Sequence, residues 1–326
     1  MLPSTQEHNA KQYGNEWNVF ILGYQRFYNI LQIIRAIRDV IDLPVVVVLD
    51  GCKTQQHKKL RDEFVQYVHQ KFQGVRVLVG VQNLGCGRGI LAGIDSAFHV
   101  SGARRAMIME DDCIPTPQFL NEVLELSESL LTTDLMVSGQ NPLFSDTRSD
   151  ILIDYPLIHG WAISANKWES LTKIIFDEEP YEIKKNIPWS SKAFWNLNME
   201  KVRNGKLDTW DSHFVVASWC QNDPVRLTSA KTVLNVGFES TRIEGGKQYK
   251  REHIKTNTVP VNASSYQKES DIDYSKIVAY SLFGITNLRA MRWQTQSLLY
   301  RARRMFFSQR RKTKFRRIDS RNLIEV

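Results

Sequence analysis

A run of five consecutive apolar residues, Val45 to Leu49, most constrains what this chain can fold into. The first four are valines, and a β-branched run without alternating polar residues is typical of a strand buried on both faces of a parallel sheet. Parallel strands need long crossover connections, which are usually helices. The run therefore predicts an α/β architecture.

Strand and helix patterns alternate around this run. Apolar runs predict three more strands, at Trp17 to Gly23, Val75 to Val79 and Ala106 to Met109. Helical periodicity predicts helices at Tyr28 to Ile41, Leu60 to Phe72, Ile90 to His99, Phe119 to Leu131 and Thr209 to Cys220. Shorter strands are expected at 135–138 and 159–164, and a closing strand at Val225 to Phe238. This order predicts a doubly wound, mostly parallel sheet flanked by helices.

Three adjacent acids, Glu110, Asp111 and Asp112, directly follow the strand at Ala106 to Met109. They therefore lie at the carboxyl edge of the sheet, where open α/β folds bind ligands. Because adjacent like charges repel each other, a neutralising cation is expected beside them. Asp50 follows the valine-rich strand and adds an acid at the same edge. The combination suits a nucleotide whose diphosphate is bridged by Mg²⁺ or Mn²⁺.

A glycine-rich segment, Gly85 to Gly89, precedes the helix predicted at Ile90. It lacks the G-x-G-x-x-G register and follows the third strand instead of the first, which excludes a dinucleotide-binding dehydrogenase. Two interpretations stay open. The backbone amides and Arg88 bind an anionic group such as a diphosphate, or the glycines make a tight turn with positive φ and Arg88 is solvated.

Composition places the chain among ordinary globular proteins, with 42% hydrophobic and 24% charged residues in 326. No run reaches the ~18 apolar residues of a membrane-spanning helix. The polar stretch Met1 to Glu16 lacks the apolar region of a signal peptide. The four cysteines have no metal-ligand spacing, and we interpret them as reduced thiols in a cytoplasmic protein.

The net charge of +8 comes from the C-terminal part of the chain. From Arg289 onward there are twelve basic and two acidic residues, so residues 1–288 carry 31 basic and 33 acidic residues, or −2. Aromatic residues are interleaved with these charges, which predicts an amphipathic helix on an anionic membrane surface. A disordered basic tail is the alternative. No nucleic-acid partner is expected, because no reader motif accompanies the charges.

The motifs, in their order along the chain, resemble those of GT-A-fold nucleotide-diphospho-sugar transferases, close to the family 2-like bacterial glycosyltransferases. They are also similar to N-acetylglucosaminyltransferase I, with its Glu-Asp-Asp variant of the D-x-D motif. The resemblance covers roughly residues 17–240 and rests on Val19 to Arg26, Leu49 to Gly51, Asn83 to Gly89, Met109 to Pro115, His159 to Ala162 and Asp208 to Asp211.

The resemblance implies a role for each matching residue. The nucleotide pocket would be lined by Gly23, Tyr24 and Arg26, with Asp50 contacting the base and Arg88 facing the nucleotide or diphosphate. The ribose and sugar would be held by Glu110 and Asp111, and Mn²⁺ or Mg²⁺ by Asp112. Related enzymes often supply a late histidine to the metal, and His253 is the nearest candidate in this sequence.

Asp211 is the candidate general base on the acceptor side. An inverting transferase needs a group that deprotonates the acceptor hydroxyl, and a carboxylate is the usual choice. The alternative is that Asp211 only caps the helix that follows it, and Asp208 competes for the catalytic role. Trp210, His159 and Trp161 either line a sugar pocket or pack in the core.

These features together predict a metal-dependent, inverting glycosyltransferase in surface glycan synthesis. Its substrates would be a nucleotide-diphospho-sugar donor and a saccharide or lipid-linked saccharide acceptor, and it would lie peripherally on the cytoplasmic face of the membrane. The expected domain of residues 1–272 has a nucleotide-binding half at 17–115 and an acceptor half at 116–272, followed by a basic tail at 273–326. The alternatives are a sugar-phosphate nucleotidyltransferase and a non-catalytic membrane- or carbohydrate-binding protein.

Overall fold

The computed structural model describes most of the chain between residue 16 and its C-terminus. The described residues are 16–141, 151–176, 182–183, 185, 187–229, 232–237, 242–244, 247–249, 285–307 and 322–326. His253, the start of the expected basic tail and part of the expected closing strand lie outside these residues.

The strands and helices within the described residues are numbered in chain order. The strands are β1 Trp17–Gly23, β2 Val45–Leu49, β3 Val75–Gly80, β4 Arg105–Glu110, β5 Cys113–Pro115, β6 Met136–Ser138, β7 Leu152–Ile153, β8 Trp161–Ser164, β9 Val225–Leu227, β10 Val233–Asn235, β11 Arg242–Glu244, β12 Lys247–Tyr249 and β13 Leu323–Glu325. The helices are α1 Phe27–Arg38, α2 Gln55–Lys71, α3 Gly85–Ser101, α4 Pro117–Glu125, α5 Ser129–Thr132, α6 Ala165–Phe176, α7 Trp189–Arg203, α8 Asp211–Cys220 and α9 Asn287–Phe307.

A mixed sheet organises the molecule, with the strand order β13-β3-β2-β1-β4-β8-β6-β9-β7. The strands β1, β2, β3, β4, β6 and β9 run in one direction, and β13, β8 and β7 run against them. Two-stranded sheets are formed by β5 with β10 and by β11 with β12. The predicted class, a mostly parallel α/β sheet flanked by helices, is confirmed.

Side chains alternate between the two faces of the sheet along each strand. Helices cover both faces. On one face Val19 and Val47 pack with apolar residues of α1, α2 and α4. On the other face Phe20 and Val48 pack with residues of α3, α6 and α8. All five residues of β2 are buried, as the valine run predicts for a central strand.

Sequence patterns gave the wrong structure in three places. The single helix expected at Phe119 to Leu131 is divided into α4 and α5. The closing strand expected at Val225 to Phe238 is two short strands: β9 joins the main sheet, whereas β10 pairs with β5. Helix α7 was not predicted at all. Its buried apolar residues include Ala193, Trp195, Leu197 and Met199, at a spacing of two. Because α7 is covered on more than one side, it does not show a single apolar stripe.

The C-terminal elements pack on the rest of the fold. Helix α9 packs along α7, where the rings of Phe194 and Trp293 lie 4.9 Å apart. Strand β13 pairs with the edge strand β3, and Glu325 forms a two-pronged ion pair with Arg76, at 2.5 and 2.7 Å. None of the described helices combines the length and the hydropathy that a membrane-spanning segment needs.

Candidate active site

The ends of three neighbouring strands bring the predicted acids to one edge of the sheet. In the β1–β2 register Gly23 lies beside Leu49, and in the β1–β4 register Leu22 lies beside Glu110. The N–H of Asp50 donates to the carbonyl of Gly23 at 3.0 Å. Because these strands are parallel, their carboxyl ends meet, as the sequence predicts.

Arg26 holds the acid cluster together. Its Nη1 donates to Asp111 Oδ1 at 2.8 Å and to Asp112 Oδ2 at 3.1 Å. The backbone N–H of Tyr24 donates to the second oxygen of Asp111 at 3.2 Å. A Cβ at Gly23 would lie 2.7 Å from Cδ1 of Ile30 and 3.1 Å from Cβ of Asp111, so a larger residue at the end of β1 would displace these neighbours. The segment after β1 is therefore built around Asp111.

The charges in the cluster are only partly balanced. Burial raises the pKa of Asp111 above its usual value, although Arg26 opposes that change. Burial alone would lower the pKa of Arg26, but Asp111 and Asp112 raise it on balance. One guanidinium therefore compensates two carboxylates, and Glu110 adds a third acid beside them.

Asp211, about a hundred residues further along the chain, lies close to this cluster. Burial, and then the charges of Asp112, Asp111 and Asp211, raise the pKa of Glu110 to about 8. Asp211 is thus within electrostatic range of Glu110. The structure brings together the acids after β4 and the acid at the start of α8, which the sequence assigned to different halves of the domain.

The two oxygens of Asp211 differ in their contacts. Oδ1 accepts hydrogen bonds from Thr209 Oγ1 at 2.8 Å and from the N–H and hydroxyl of Ser212 at 2.6 and 3.1 Å. Among the described residues, Oδ2 accepts none. Asp211 is the first residue of α8, and the N-cap position belongs to Trp210, which makes no side-chain capping hydrogen bond. Asp211 is therefore not the helix cap that the alternative predicts, although it contacts the N–H of Ser212 in the first turn. One oxygen fixes the carboxylate, and the other is available to accept a proton.

Asp112 also contacts a late segment of the chain that sequence reasoning missed. The N–H of Val236 donates to the carbonyl of Asp112 at 2.8 Å. Gly237 lies so close that a Cβ there would overlap Oδ2 of Asp112. The sequence Val236-Gly237 carries no pattern that would reveal this contact, because it depends on β10 pairing with β5.

The carboxylate oxygens of the acid cluster are ligands of the kind that a divalent cation such as Mg²⁺ prefers. The described residues contain no group of three or more His, Cys, Asp or Glu side chains arranged as a complete metal centre. Mg²⁺ is usually bound by one or two carboxylates together with phosphate oxygens and water, so a complete protein cage is not required. Asp112, with oxygen ligands and an incompletely balanced charge around it, suits such a site.

The glycine-rich segment begins α3, and the carboxylates of Asp50 and Asp208 accept hydrogen bonds from the backbone N–H groups at the start of this helix. Those of Leu84 and Gly85 donate to Asp50, at 2.9 and 3.0 Å. Those of Cys86 and Gly87 donate to Asp208, at 3.1 and 2.8 Å. Gly85 has a φ of +79°, as the tight-turn interpretation predicts.

These contacts change how two predicted residues are understood. Asp50 also accepts from Asn83 Nδ2 at 2.8 Å, so both of its oxygens fasten the turn before α3. Arg88 is exposed on the first turn of α3. Contacts of Asp50 with a base and of Arg88 with a diphosphate stay predictions. Asp208 ties the segment before α8 to the first turn of α3, and its competing role as a base stays a prediction.

Tyr24 has neighbours that the sequence did not suggest. Its hydroxyl lies 3.4 Å from Nδ1 of His57, and Lys53 Nζ lies 6.0 Å from the centre of its ring. Both residues belong to the segment after β2. A half-buried aromatic ring with polar neighbours therefore stands beside the acid cluster.

The two tryptophans considered for a sugar pocket pack in the core. Trp161 is 0% and Trp210 is 2% exposed, and their rings stack at 5.9 Å. Trp168 and Phe214 complete the same aromatic cluster. The core interpretation is therefore correct for these residues. His159 is half-buried beside Gly160.

Comparisons with known proteins were made by sequence and by structure. No family model matches the sequence, and no curated protein sequence matches it either. Among solved structures, the fold is similar to that of S. aureus TarS, with a TM-score of 0.40 and 15% sequence identity. The similarity covers 67% of this chain and 36% of the TarS chain.

Proposed function

We propose that this protein is a metal-dependent, inverting glycosyltransferase that transfers a sugar from a nucleotide-diphospho-sugar to a saccharide or lipid-linked saccharide. The observation that carries the proposal is the position of Asp211. One of its oxygens is fixed by Thr209 and Ser212, and its charge acts on Glu110 in the acid cluster. A free carboxylate oxygen near a nucleotide site is what a base-assisted displacement needs.

In the proposed reaction Asp211 accepts the proton of the acceptor hydroxyl. As the proton leaves, the acceptor oxygen attacks the anomeric carbon and the bond from that carbon to the diphosphate oxygen breaks. The nucleoside diphosphate departs with the electron pair, and the configuration at the anomeric carbon is inverted. A single displacement of this kind requires one base and no covalent enzyme intermediate.

The donor would be held by the residues at the ends of β1 and β4. Tyr24 and its neighbours from the segment after β2 suit the nucleoside, and Glu110 and Asp111 suit hydroxyl groups of the ribose and sugar. Asp112 would hold Mn²⁺ or Mg²⁺, which supplies positive charge for the diphosphate when it is bound. Arg26 fixes Asp111 and Asp112 and limits their repulsion before the donor arrives.

A donor screen tests this proposal. The full chain is incubated with a panel of nucleotide-sugars, with Mn²⁺ or with a chelator, and release of the nucleoside diphosphate is measured. We expect release from one donor class, only with the metal, and its loss in Asp112→Asn. Asp42→Asn is the control, since Asp42 is an acid with 80% of its side chain exposed and pairs only with Arg38 among the described residues.

Three other outcomes would contradict the proposal in whole or in part. Formation of a nucleotide-sugar from sugar phosphate and nucleoside triphosphate would indicate a nucleotidyltransferase. Binding of a saccharide with no turnover of any donor would indicate a non-catalytic protein. Release that does not respond to the chelator or to Asp112→Asn would remove the metal from the proposal.

A further inference from the structure

Helix α9 has an exposed apolar face. Leu288, Met291, Leu298 and Leu299 are 82%, 64%, 60% and 59% exposed. Their spacings of 3, 10 and 11 residues place them on one side of a helix with 3.6 residues per turn. Four large apolar side chains on one helical face form a patch, and such patches mark interaction sites.

The opposite face of α9 holds the helix on the fold. Ala290 is fully buried and Ser297 is 6% exposed, and Trp293 packs against Phe194 of α7. Arg301 pairs with Glu200 of α7 at 3.4 Å. The helix therefore has two distinct faces, and the exposed one is presented by a helix that is already fixed on α7.

The charge around this face selects an anionic partner. Arg289 and Arg292 are exposed on α9. Residues 287–318 contain eleven basic residues and no acidic one, whereas residues 1–288 carry about −2. A helical face that is apolar and carries two exposed arginines, Arg289 and Arg292, matches the interface of a bilayer with anionic lipids.

A groove between α7 and α9 extends the same surface. It has a volume of ≈ 240 Å³, and its lining includes Trp189, Lys192, Leu298 and Arg301. Trp189 is 45% exposed. Tryptophan and basic residues are enriched at the membrane–water interface, because an apolar ring and a polar end suit its two sides.

We propose that the exposed face of α9 binds anionic lipid bilayers, with the helix lying in the interface and Arg289 and Arg292 at the lipid headgroups. This inference goes beyond the proposed function and uses none of its residues. Because α9 and β13 also make core contacts, point substitutions in the full chain test the surface better than truncation does.

Binding of the full chain to vesicles provides the test. Co-sedimentation is measured with phosphatidylcholine vesicles that contain phosphatidylglycerol and with vesicles that lack it. We expect binding only with phosphatidylglycerol, and Met291→Glu/Leu299→Glu to weaken it by more than ~100-fold, since two apolar side chains lose their burial. The control is Leu60→Glu/Tyr67→Glu, which changes two exposed apolar residues of α2 and should bind as the wild type does.

The arginines are tested separately. Arg289→Gln/Arg292→Gln should weaken binding by about 30-fold, because each basic residue near an anionic surface contributes roughly 1 kcal/mol. High salt should reduce wild-type binding as well. Circular dichroism and thermal unfolding of every variant show whether it is folded, and donor hydrolysis without vesicles should be unchanged, which separates this test from that of the proposed function.

Three results would overturn the inference. The first is a folded Met291→Glu/Leu299→Glu variant that binds phosphatidylglycerol vesicles as tightly as the wild type. The second is a wild type that is a dimer and a variant that is a monomer in sedimentation velocity, when neither of them co-sediments with vesicles. The third is binding of duplex DNA by the wild type without binding of vesicles.

Discussion

The carboxylate of Asp208 accepts a hydrogen bond from the backbone N–H of Gly87 at 2.8 Å. The same carboxylate accepts from Cys86, so the anion at the start of α3 belongs to the chain itself. A helix N-terminus stabilises negative charge, and here that interaction fastens the segment before α8 to the first turn of α3. Asp211, three residues after Asp208, is thereby held near the acid cluster.

Gly85 should be much less tolerant of alanine than Gly102. Both have positive φ, of +79° and +67°, so alanine costs about 1–2 kcal/mol at either position from backbone strain. A Cβ at Gly85 would also overlap Oδ2 of Asp208, whereas nothing lies within 4 Å at Gly102. Gly85→Ala should therefore lose about 1–3 kcal/mol more than Gly102→Ala.

Urea denaturation of the two variants measures this difference in the free energy of unfolding. Gly102→Ala is the matched control, since it carries the same backbone strain without the carboxylate contact. Equal losses of stability in both variants would mean that Asp208 does not lie against Gly85 in solution.

The sheet edge could be predicted from the sequence because it depends on local patterns. Apolar runs identify β1, β2 and β4, and the rule that parallel strands end together places Gly23, Asp50 and Glu110 side by side. The same reasoning predicts a cation beside the acidic cluster, and this stays a prediction. Its partner Arg26 was assigned to the nucleotide pocket, but its ion pairs with Asp111 and Asp112 were not foreseen.

Contacts between distant segments could not be predicted in the same way. The placement of Asp208 at the start of α3 and of Gly237 against Asp112 depends on tertiary packing. Asp208 was the competing candidate for the base, and its contacts with the backbone of α3 were not foreseen. Helix α7 was missed because it is covered by α9 and lacks the one-sided pattern of a surface helix.

Arg26→Gln should destabilise the fold and make it respond more strongly to divalent cations. Without the guanidinium, Asp111 and Asp112 repel each other in a largely buried site, and we expect a loss of about 2 kcal/mol, less than for a fully buried pair because Arg26 is partly exposed. Mn²⁺ should restore part of this loss. Thermal unfolding with and without Mn²⁺ measures both effects.

Arg35→Gln is the control for this experiment, because Arg35 is an exposed arginine in the last turn of α1. It should leave the stability and its response to Mn²⁺ unchanged. If Arg26→Gln behaves in the same way, the ion pairs of Arg26 do not contribute to the stability of the cluster.

His213 should make the stability of the protein depend on pH. Burial and the charge of Arg203 lower its pKa from 6.5 to about 4. Between pH 6.5 and about 4 the imidazole binds a proton in the unfolded chain but not in the folded protein. The contribution of His213 to the free energy of unfolding is therefore complete above pH 6.5 and is lost as the pH falls. The full loss is about 3 kcal/mol, of which about 2 kcal/mol is expected by pH ~5.

The free energy of unfolding at neutral pH and at pH ~5 is compared for the wild type, His213→Gln and His99→Gln. Glu110, with its raised pKa, contributes in the opposite direction in every variant, so the prediction concerns the difference between variants: acidification should lower the free energy of unfolding by about 2 kcal/mol less in His213→Gln than in the wild type. His99 is an exposed histidine of α3, and its variant should keep the wild-type decrease. An unchanged decrease in His213→Gln would contradict the burial of a neutral imidazole.

The most direct test of the proposed mechanism is the rate of donor hydrolysis by Asp211→Asn, with water as the acceptor and donor affinity measured in parallel. Asparagine keeps the oxygen that accepts from Thr209 and Ser212 but cannot take a proton, so the rate should fall by about 10²–10⁴-fold while donor affinity is kept. Asp208→Asn changes the carboxylate that accepts hydrogen bonds from the first turn of α3, and its hydrolysis rate should stay within about tenfold of the wild-type rate. Near-normal hydrolysis by Asp211→Asn, with a collapse for Asp208→Asn, would contradict the mechanism and assign the base to Asp208.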